Sequence, residues 1–352
     1  MKKSKLLNIV SNGAIVAFSV LIGARVINEF LRFNDKPQGQ YSYSYRDLST
    51  GEKLRVAHES DYDINSSGKD TIILISDSFG EGAKCGNDKN IAGCLKSTSG
   101  KKVVNLSKGG TSTGFYLKQL KKYLANSRNL SPTVDGETVV ISIYSNDIVL
   151  IKDNCNYFSD NLTSISLSVD KDQLSFLEER CKSILGLTKS EYAKVMNFSL
   201  PISGVLSKTI GSYSYALLRE LVAQATLRLN LDTTIGRAGY IPKWGADNSP
   251  ERTLTLEILK DIQSTCDLHN CNVTFATFPN VEQLTEESVV RKSLVSFSDY
   301  AMKDNLIVLD GYTPFLEKGI ENACYSLSDC HSDCDGYKTY AEWLWSNIKQ
   351  NQ

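Results

Sequence analysis

The chain has 352 residues, of which 41 % are hydrophobic and 22 % charged, the balance of a folded protein with one large core or two ordinary ones. That composition excludes a disordered chain, a collagen and a multi-span membrane protein. The 39 basic and 40 acidic residues leave a formal net charge of -1, so no basic field exists to hold phosphates and no nucleic-acid partner is expected.

Lys2, Lys3 and Lys5 precede an apolar stretch running from Leu6 to about Ala24, with Asn8, Ser11 and Asn12 near its start and Arg25 and Arg32 behind it. The stretch is near the minimum length for crossing a bilayer, and the leading lysines favour an inside amino terminus. Residues 1–33 are therefore expected as an uncleaved signal anchor, the chain's contact with a membrane, which places the rest of the chain on the exported side. A cleaved signal peptide is the second reading, and an amphipathic or buried helix the third. Residues 34–69 carry Gln, Ser, Gly and Asp with tyrosines at alternate positions from Tyr41 to Tyr45. They are expected as a stalk, although the alternation also suits an edge strand packed on the domain.

From about residue 70 strands and helices alternate. Thr71 to Ile75 is a continuous apolar run, as expected for a strand buried on both faces. Residues 88–98 read as a helix and Lys102 to Leu106 as a second strand. Phe115, Leu117, Leu120, Tyr123 and Leu124 recur at helical spacing, and Thr138 to Tyr144 is a third strand. Residues 252–268 read as a helix, Asn272 to Phe278 as a strand, 285–303 as a helix, Leu306 to Asp310 as a last strand and Gly336 to Ile348 as a closing helix. Such alternation predicts a parallel sheet covered on both faces, with ligand sites outside the carboxyl ends of its strands. Residues 151–250 break the rhythm and are expected as an insertion forming a cap.

The nine cysteines fall in local groups: Cys85 with Cys94, Cys155 with Cys181, Cys266 with Cys271, then Cys324, Cys330 and Cys334. In an oxidising compartment such groups become disulfides. The last three thiols with His331 would also suit a zinc ion, unless oxidation removes them. His58 falls in the stalk, and His269 follows a helix, where its cation would suit the helix dipole. Trp343 and Trp345 on the closing helix fit either packing or a carbohydrate platform.

Four loops after predicted strands carry chemistry. The first strand ends in Ser76-Asp77-Ser78-Phe79-Gly80-Glu81-Gly82, where a serine backed by glycines can present its hydroxyl at the sheet rim. The second ends in Asn105-Leu106-Ser107-Lys108-Gly109-Gly110, whose glycines let a backbone N–H approach a substrate oxygen. The third ends in Tyr144-Ser145-Asn146-Asp147, where an asparagine amide can face a developing oxyanion, or simply make a turn. Asp329-Cys330-His331 lies before the last helix, and a nucleophilic serine needs such a base with an acid behind it.

In that order the four segments resemble the Ser, Gly, Asn and His blocks of the SGNH (GDSL-like) hydrolase superfamily, across about residues 70–345 apart from the insertion. Ser76 stands where the family has glycine. The Asp-x-His spacing of the last block is similar to that of the alginate O-acetyltransferase-like branch. The resemblance implies a three-layer, flavodoxin-like α/β domain over residues 70–352. It also implies a catalytic triad of Ser78, His331 and Asp329, and an oxyanion hole of the Ser78 N–H, the Gly110 N–H and the Asn146 amide. No cofactor or metal is implied. The expected activity is a serine esterase acting on acyl esters of a small molecule or polysaccharide, above all O-acetyl groups of an envelope glycan. An O-acyltransferase using the same triad and a non-catalytic scaffold are the alternatives.

Overall fold

A computed structural model describes residues 43–47, 51, 53–57, 70–82, 85–86, 88–130, 136–148, 150–188, 249–279, 297–318 and 332–350. All of them fall in one compact unit. Its centre is a five-stranded parallel sheet of order β4-β3-β5-β6-β7, built from β3 (Thr71–Ile75), β4 (Lys102–Asn105), β5 (Thr138–Ile143), β6 (Asn272–Thr277) and β7 (Val308–Leu309). Every residue of β3 and β5 is buried, which explains why both strands are written without polar alternation. Ile73 faces Val104 on one side and Val139 on the other. The first strand of this sheet is thus internal, its two successors lying on opposite flanks, so the topology switches direction at β3.

Two apolar layers flank the sheet. On one side Ile73, Ile75, Val139 and Ile141 pack with Leu120 and Leu124 of α3 (Thr113–Leu130) and Leu254, Ile258 and Ile262 of α7 (Pro250–Leu268). On the other, Ile72, Leu74 and Val140 pack with Leu95 of α2 (Ile91–Ser99), Phe315 of α9 (Thr313–Lys318) and Leu344 and Ile348 of α10 (Cys334–Gln350). The Tyr340 hydroxyl meets Ser142 Oγ at 2.9 Å and ties α10 to β5. The expected α/β class with a doubly covered parallel sheet is therefore present. Residues 297–303, the described part of the helix expected over 285–303, are helical and are labelled α8.

Two segments carry more of the fold than a stalk and a cap would, the first along the edge-strand alternative. Within the expected stalk, 34–69, β1 (Tyr43–Asp47) and β2 (Lys53–Ala57) form an antiparallel hairpin. Leu54 and Val56 of that hairpin are buried in the same layer as α3, so this part packs on the domain. Within the expected cap, 151–250, residues 151–188 form α4 (Lys152–Asp160), α5 (Leu162–Ser168) and α6 (Lys171–Gly186). Phe158, Ile165 and Leu177 put these helices into the core beside α7. The remainder of the insertion, 189–248, lies outside the described residues, as does the expected anchor, 1–33. Among the described residues no helix is long and apolar enough to cross a membrane.

The cysteines correct two expected pairings and bear out another. Cys155 bridges Cys181, joining α4 to α6. Cys85 bridges Cys334, with Cα atoms 5.6 Å apart, rather than Cys94, because α2 and α10 pack side by side while nearness in sequence constrains nothing. Cys94, Cys266 and Cys271 remain buried thiols, so the expected Cys266–Cys271 bridge is absent as well. Cys334 is no longer available to a zinc cluster, and the described residues hold no group of ligands suited to a metal. Trp345 is buried and Trp343 packs on Tyr340, which favours packing over a carbohydrate platform.

Candidate active site

The chain leaves β3 through Ser76 and Asp77, both fully buried, and turns into the short helix α1 (Ser78–Glu81). Asp77 caps that helix: its Oδ1 accepts the Phe79 N–H at 3.0 Å. Its Oδ2 lies 3.4 Å from Ser78 Oγ, which donates to it. Ser78 is half-buried, the one residue between Thr71 and Gly82 that reaches toward solvent. Phe79 points inward, its ring tilted against those of Tyr144 and Phe278 with centroids 4.0 and 4.8 Å away. Gly80 carries no side chain because the space is filled: a Cβ there would meet Ser107 Oγ and the Cβ of Ser76.

The segment after β4 runs on beside this turn. The Leu106 N–H donates to Leu74 at 2.8 Å and the Lys108 N–H to Ser76 at 3.0 Å. Asn105 fixes the corner, its Nδ2 donating to the Gly80 carbonyl at 2.7 Å and its Oδ1 accepting the Ser107 N–H at 3.1 Å. Gly109 therefore lies against the serine, where an added Cβ would stand 3.3 Å from Ser78 Cβ. The Gly109 N–H is already used, donating to Glu81 Oε2 at 2.7 Å. Gly110 follows with φ +69 and open space around its Cα. Among the described residues no hydrogen bond takes its N–H.

On the other flank, β5 leads through Tyr144 into a 3-10 turn, Ser145–Ile148, which places Asn146 just beyond the strand's carboxyl end. Asp147 sets this turn, its Oδ2 accepting the Tyr144 N–H at 2.6 Å. Asn154 of α4 anchors it from outside: its Nδ2 donates to the Asp147 carbonyl at 3.2 Å, and its Oδ1 accepts Ser112 Oγ and the Gly114 N–H, both at 2.8 Å. Three of the four sequence segments thus meet at the carboxyl ends of three adjacent strands, at the switch point where open parallel sheets form their ligand crevice. The fourth, with Asp329 and His331, lies outside the described residues. Cys334, three positions after His331, is bonded to Cys85, seven positions after Ser78.

Beneath the serine the structure adds polar groups that the sequence reading left without roles. Asp147 and Tyr116 are both fully buried beside Asp77. Burial, with the Asp77 charge as second cause, holds the Asp147 carboxyl well above the usual carboxylate range. Burial followed by the two aspartates pushes the Tyr116 hydroxyl up as well. Asp147, the Tyr116 hydroxyl and Ser76 Oγ are buried together beside Asp77, so the floor of the site is polar. Glu81, under Gly109, is the other missed group. Its signal was a carboxylate inside a glycine-rich loop, a position where it can hold a backbone N–H.

No protein-family model matches the chain, and no curated protein matches it. Among solved structures it is similar to a member of the lipolytic protein G-D-S-L family from Veillonella parvula DSM 2008, with a TM-score of 0.40 and 12 % identity over 80 % of this chain and 98 % of that one. It is similar also to a G-D-S-L family protein from Desulfitobacterium hafniense DCB-2, with a TM-score of 0.37 and 12 % identity over 78 % of this chain and 97 % of that one. The chain's own fold and site define a class: a parallel α/β domain that presents a serine hydroxyl at the switch point of its sheet.

Proposed function

We propose that the chain is a serine-dependent ester hydrolase acting on O-acyl groups, acetyl above all, of an exported glycan or related polymer. The observation that carries this reading is the placement of Ser78 at the switch point against Gly109, with its loop cross-linked through Cys85 to the segment that follows His331. Three residues span about 11 Å at most, so the bridge at Cys334 supports a base at His331 acting on the serine loop. In the reaction Ser78 Oγ attacks the ester carbonyl while His331 takes the hydroxyl proton and Asp329 holds the imidazole. The oxyanion forms among the N–H groups of Ser78 and Gly110 and the Asn146 amide. The alcohol leaves with the proton from His331, and water, activated the same way, releases the acid from Ser78. A sugar hydroxyl in place of water would make the same intermediate a transferase. Two disulfides support an oxidising compartment and hence the exported placement.

The test is a serine-reactive fluorophosphonate probe applied to the full chain. Labelling that disappears in Ser78→Ala and falls severely in His331→Ala supports the enzyme. Absent labelling of a folded wild-type chain favours a non-catalytic scaffold, and labelling that survives Ser78→Ala moves the nucleophile elsewhere.

A further inference from the structure

Arg252, in the first turn of α7, is fully buried. Its guanidinium lies flat on Tyr300 of α8, 3.6 Å from the ring centroid, and its Nε, Nη1 and Nη2 are all buried without a hydrogen-bond partner. Among the described residues no carboxylate pairs with this charge. Glu251 beside it accepts from Ser249 Oγ at 2.9 Å. Glu257 and Asp304 are paired with Lys260 at 2.8 and 3.1 Å. A guanidinium cannot shed its proton, and a buried charge persists only when something pairs with it. Two further groups share the deficit: Thr255 Oγ1, one turn along the same face of α7, and Ser298 Oγ of α8 are buried and unpartnered. Lys303 is exposed, and its ammonium stands 5.1 Å from the centroid of the same Tyr300 ring.

We propose that Arg252 is the centre of a binding site for an oxyanion, a carboxylate or phosphate group, held by the guanidinium fork with Tyr300 behind it. Such a fork matches the two oxygens of either group, and Lys303 draws the anion toward it. The site lies where α7 begins, packed near the 3-10 turn Ser145–Ile148, at the carboxyl edge of the sheet. It stands apart from the reading of Ser78 and does not depend on it. A uronate carboxylate of a glycan and a phosphate ester are the two sources of this chemistry.

The experiment is isothermal titration calorimetry of the full chain with inorganic phosphate and, separately, with glucuronate, at constant ionic strength. Saturable one-to-one binding of either anion is expected. Arg252→Lys should weaken it by about tenfold, the loss of one charge-assisted hydrogen bond, and Arg252→Met should abolish it. Preference for phosphate or for glucuronate assigns the source. Should Arg252→Met fail to fold, the wild-type titration and Arg252→Lys still decide. No saturable heat with either anion overturns the proposal, and so does binding that persists unchanged in either folded variant.

Discussion

Removing the Cys85–Cys334 bridge is the sharpest perturbation of this fold, because one bond joins the serine loop to the start of the last helix. The two cysteines are 249 positions apart. In the chain-entropy treatment a loop of that size contributes about 5.5 kcal/mol, against about 3.5 kcal/mol for a loop the size of the Cys155–Cys181 one. The smaller loop lies inside the larger and shortens it by about a tenth, which alters a logarithm by only about 0.1 kcal/mol. Native bridges usually deliver somewhat less than the full entropy, so the double variant Cys85→Ala/Cys334→Ala should lose about 2–5 kcal/mol. Neither alanine leaves a polar group stranded, and the loss can be assigned to the cross-link. Urea unfolding followed by tryptophan fluorescence measures it. Fluorophosphonate labelling of Ser78, run in parallel under conditions where the variant stays folded, should slow by about tenfold or more, the cost of a base no longer held in reach. A stability loss under about 1 kcal/mol together with labelling at the wild-type rate would refute the reasoning, since the bridge would then brace neither fold nor site.

Three further outcomes are expected. Gly80→Ala drives a methyl into Ser107 and Ser76 and should cost about 1–3 kcal/mol in thermal or urea unfolding; an unchanged midpoint would mean that the loop yields freely. Asp147 holds its proton in the fold well above the ordinary range, whereas the unfolded chain releases it near pH 4. Wild-type stability should therefore fall as pH rises from about 4 toward the folded-state value, by up to about 1.4 kcal/mol per unit. Asp147→Asn lacks that slope and should gain on wild type through this window, while parallel profiles would mean an ionised Asp147. Asn146→Ala should lower turnover by about 10²–10³ with a nearly unchanged thermal midpoint, and an unfolded variant would make Asn146 structural instead.

The sheet was legible because strands buried on both faces are apolar along most of their length: Thr71–Ile75 and Thr138–Ile143 depart from that pattern only at Thr71, Thr138 and Ser142. The α4–α6 helices were not. In Lys152–Asp160 only Asn154, Cys155 and Phe158 are buried, too few for a helical stripe, and the helix is held largely by its bridge to Cys181 and by the polar links of Asn154. β7 was expected to run from Leu306 to Asp310 but pairs only through Val308 and Leu309, since the Leu306 N–H donates to Ala301 at the end of α8 instead. Ser78, Gly110 and Asn146 could be singled out because each follows a strand, and the order of strands brings those ends together. The close packing of Gly109 on Ser78 could not, because adjacent glycines look alike until φ and neighbours distinguish them. Cys334 as partner of Cys85 was illegible for a related reason: a long-range bridge reflects which helices lie together, and that is settled only by the whole fold.

The distance between those two cysteines along the chain has a consequence for biogenesis. If the growing polypeptide meets an oxidant, Cys85 has Cys94 as a neighbour long before Cys334 has been synthesised, and the early adduct would be the wrong one. Correct maturation therefore calls for a thiol–disulfide isomerase or a delayed oxidation. Once helices α2 and α10 have closed over it, burial pushes the Cys94 thiol up to about 11, leaving too little thiolate to attack again. The mature protein keeps its correct pairing by starving the competing nucleophile.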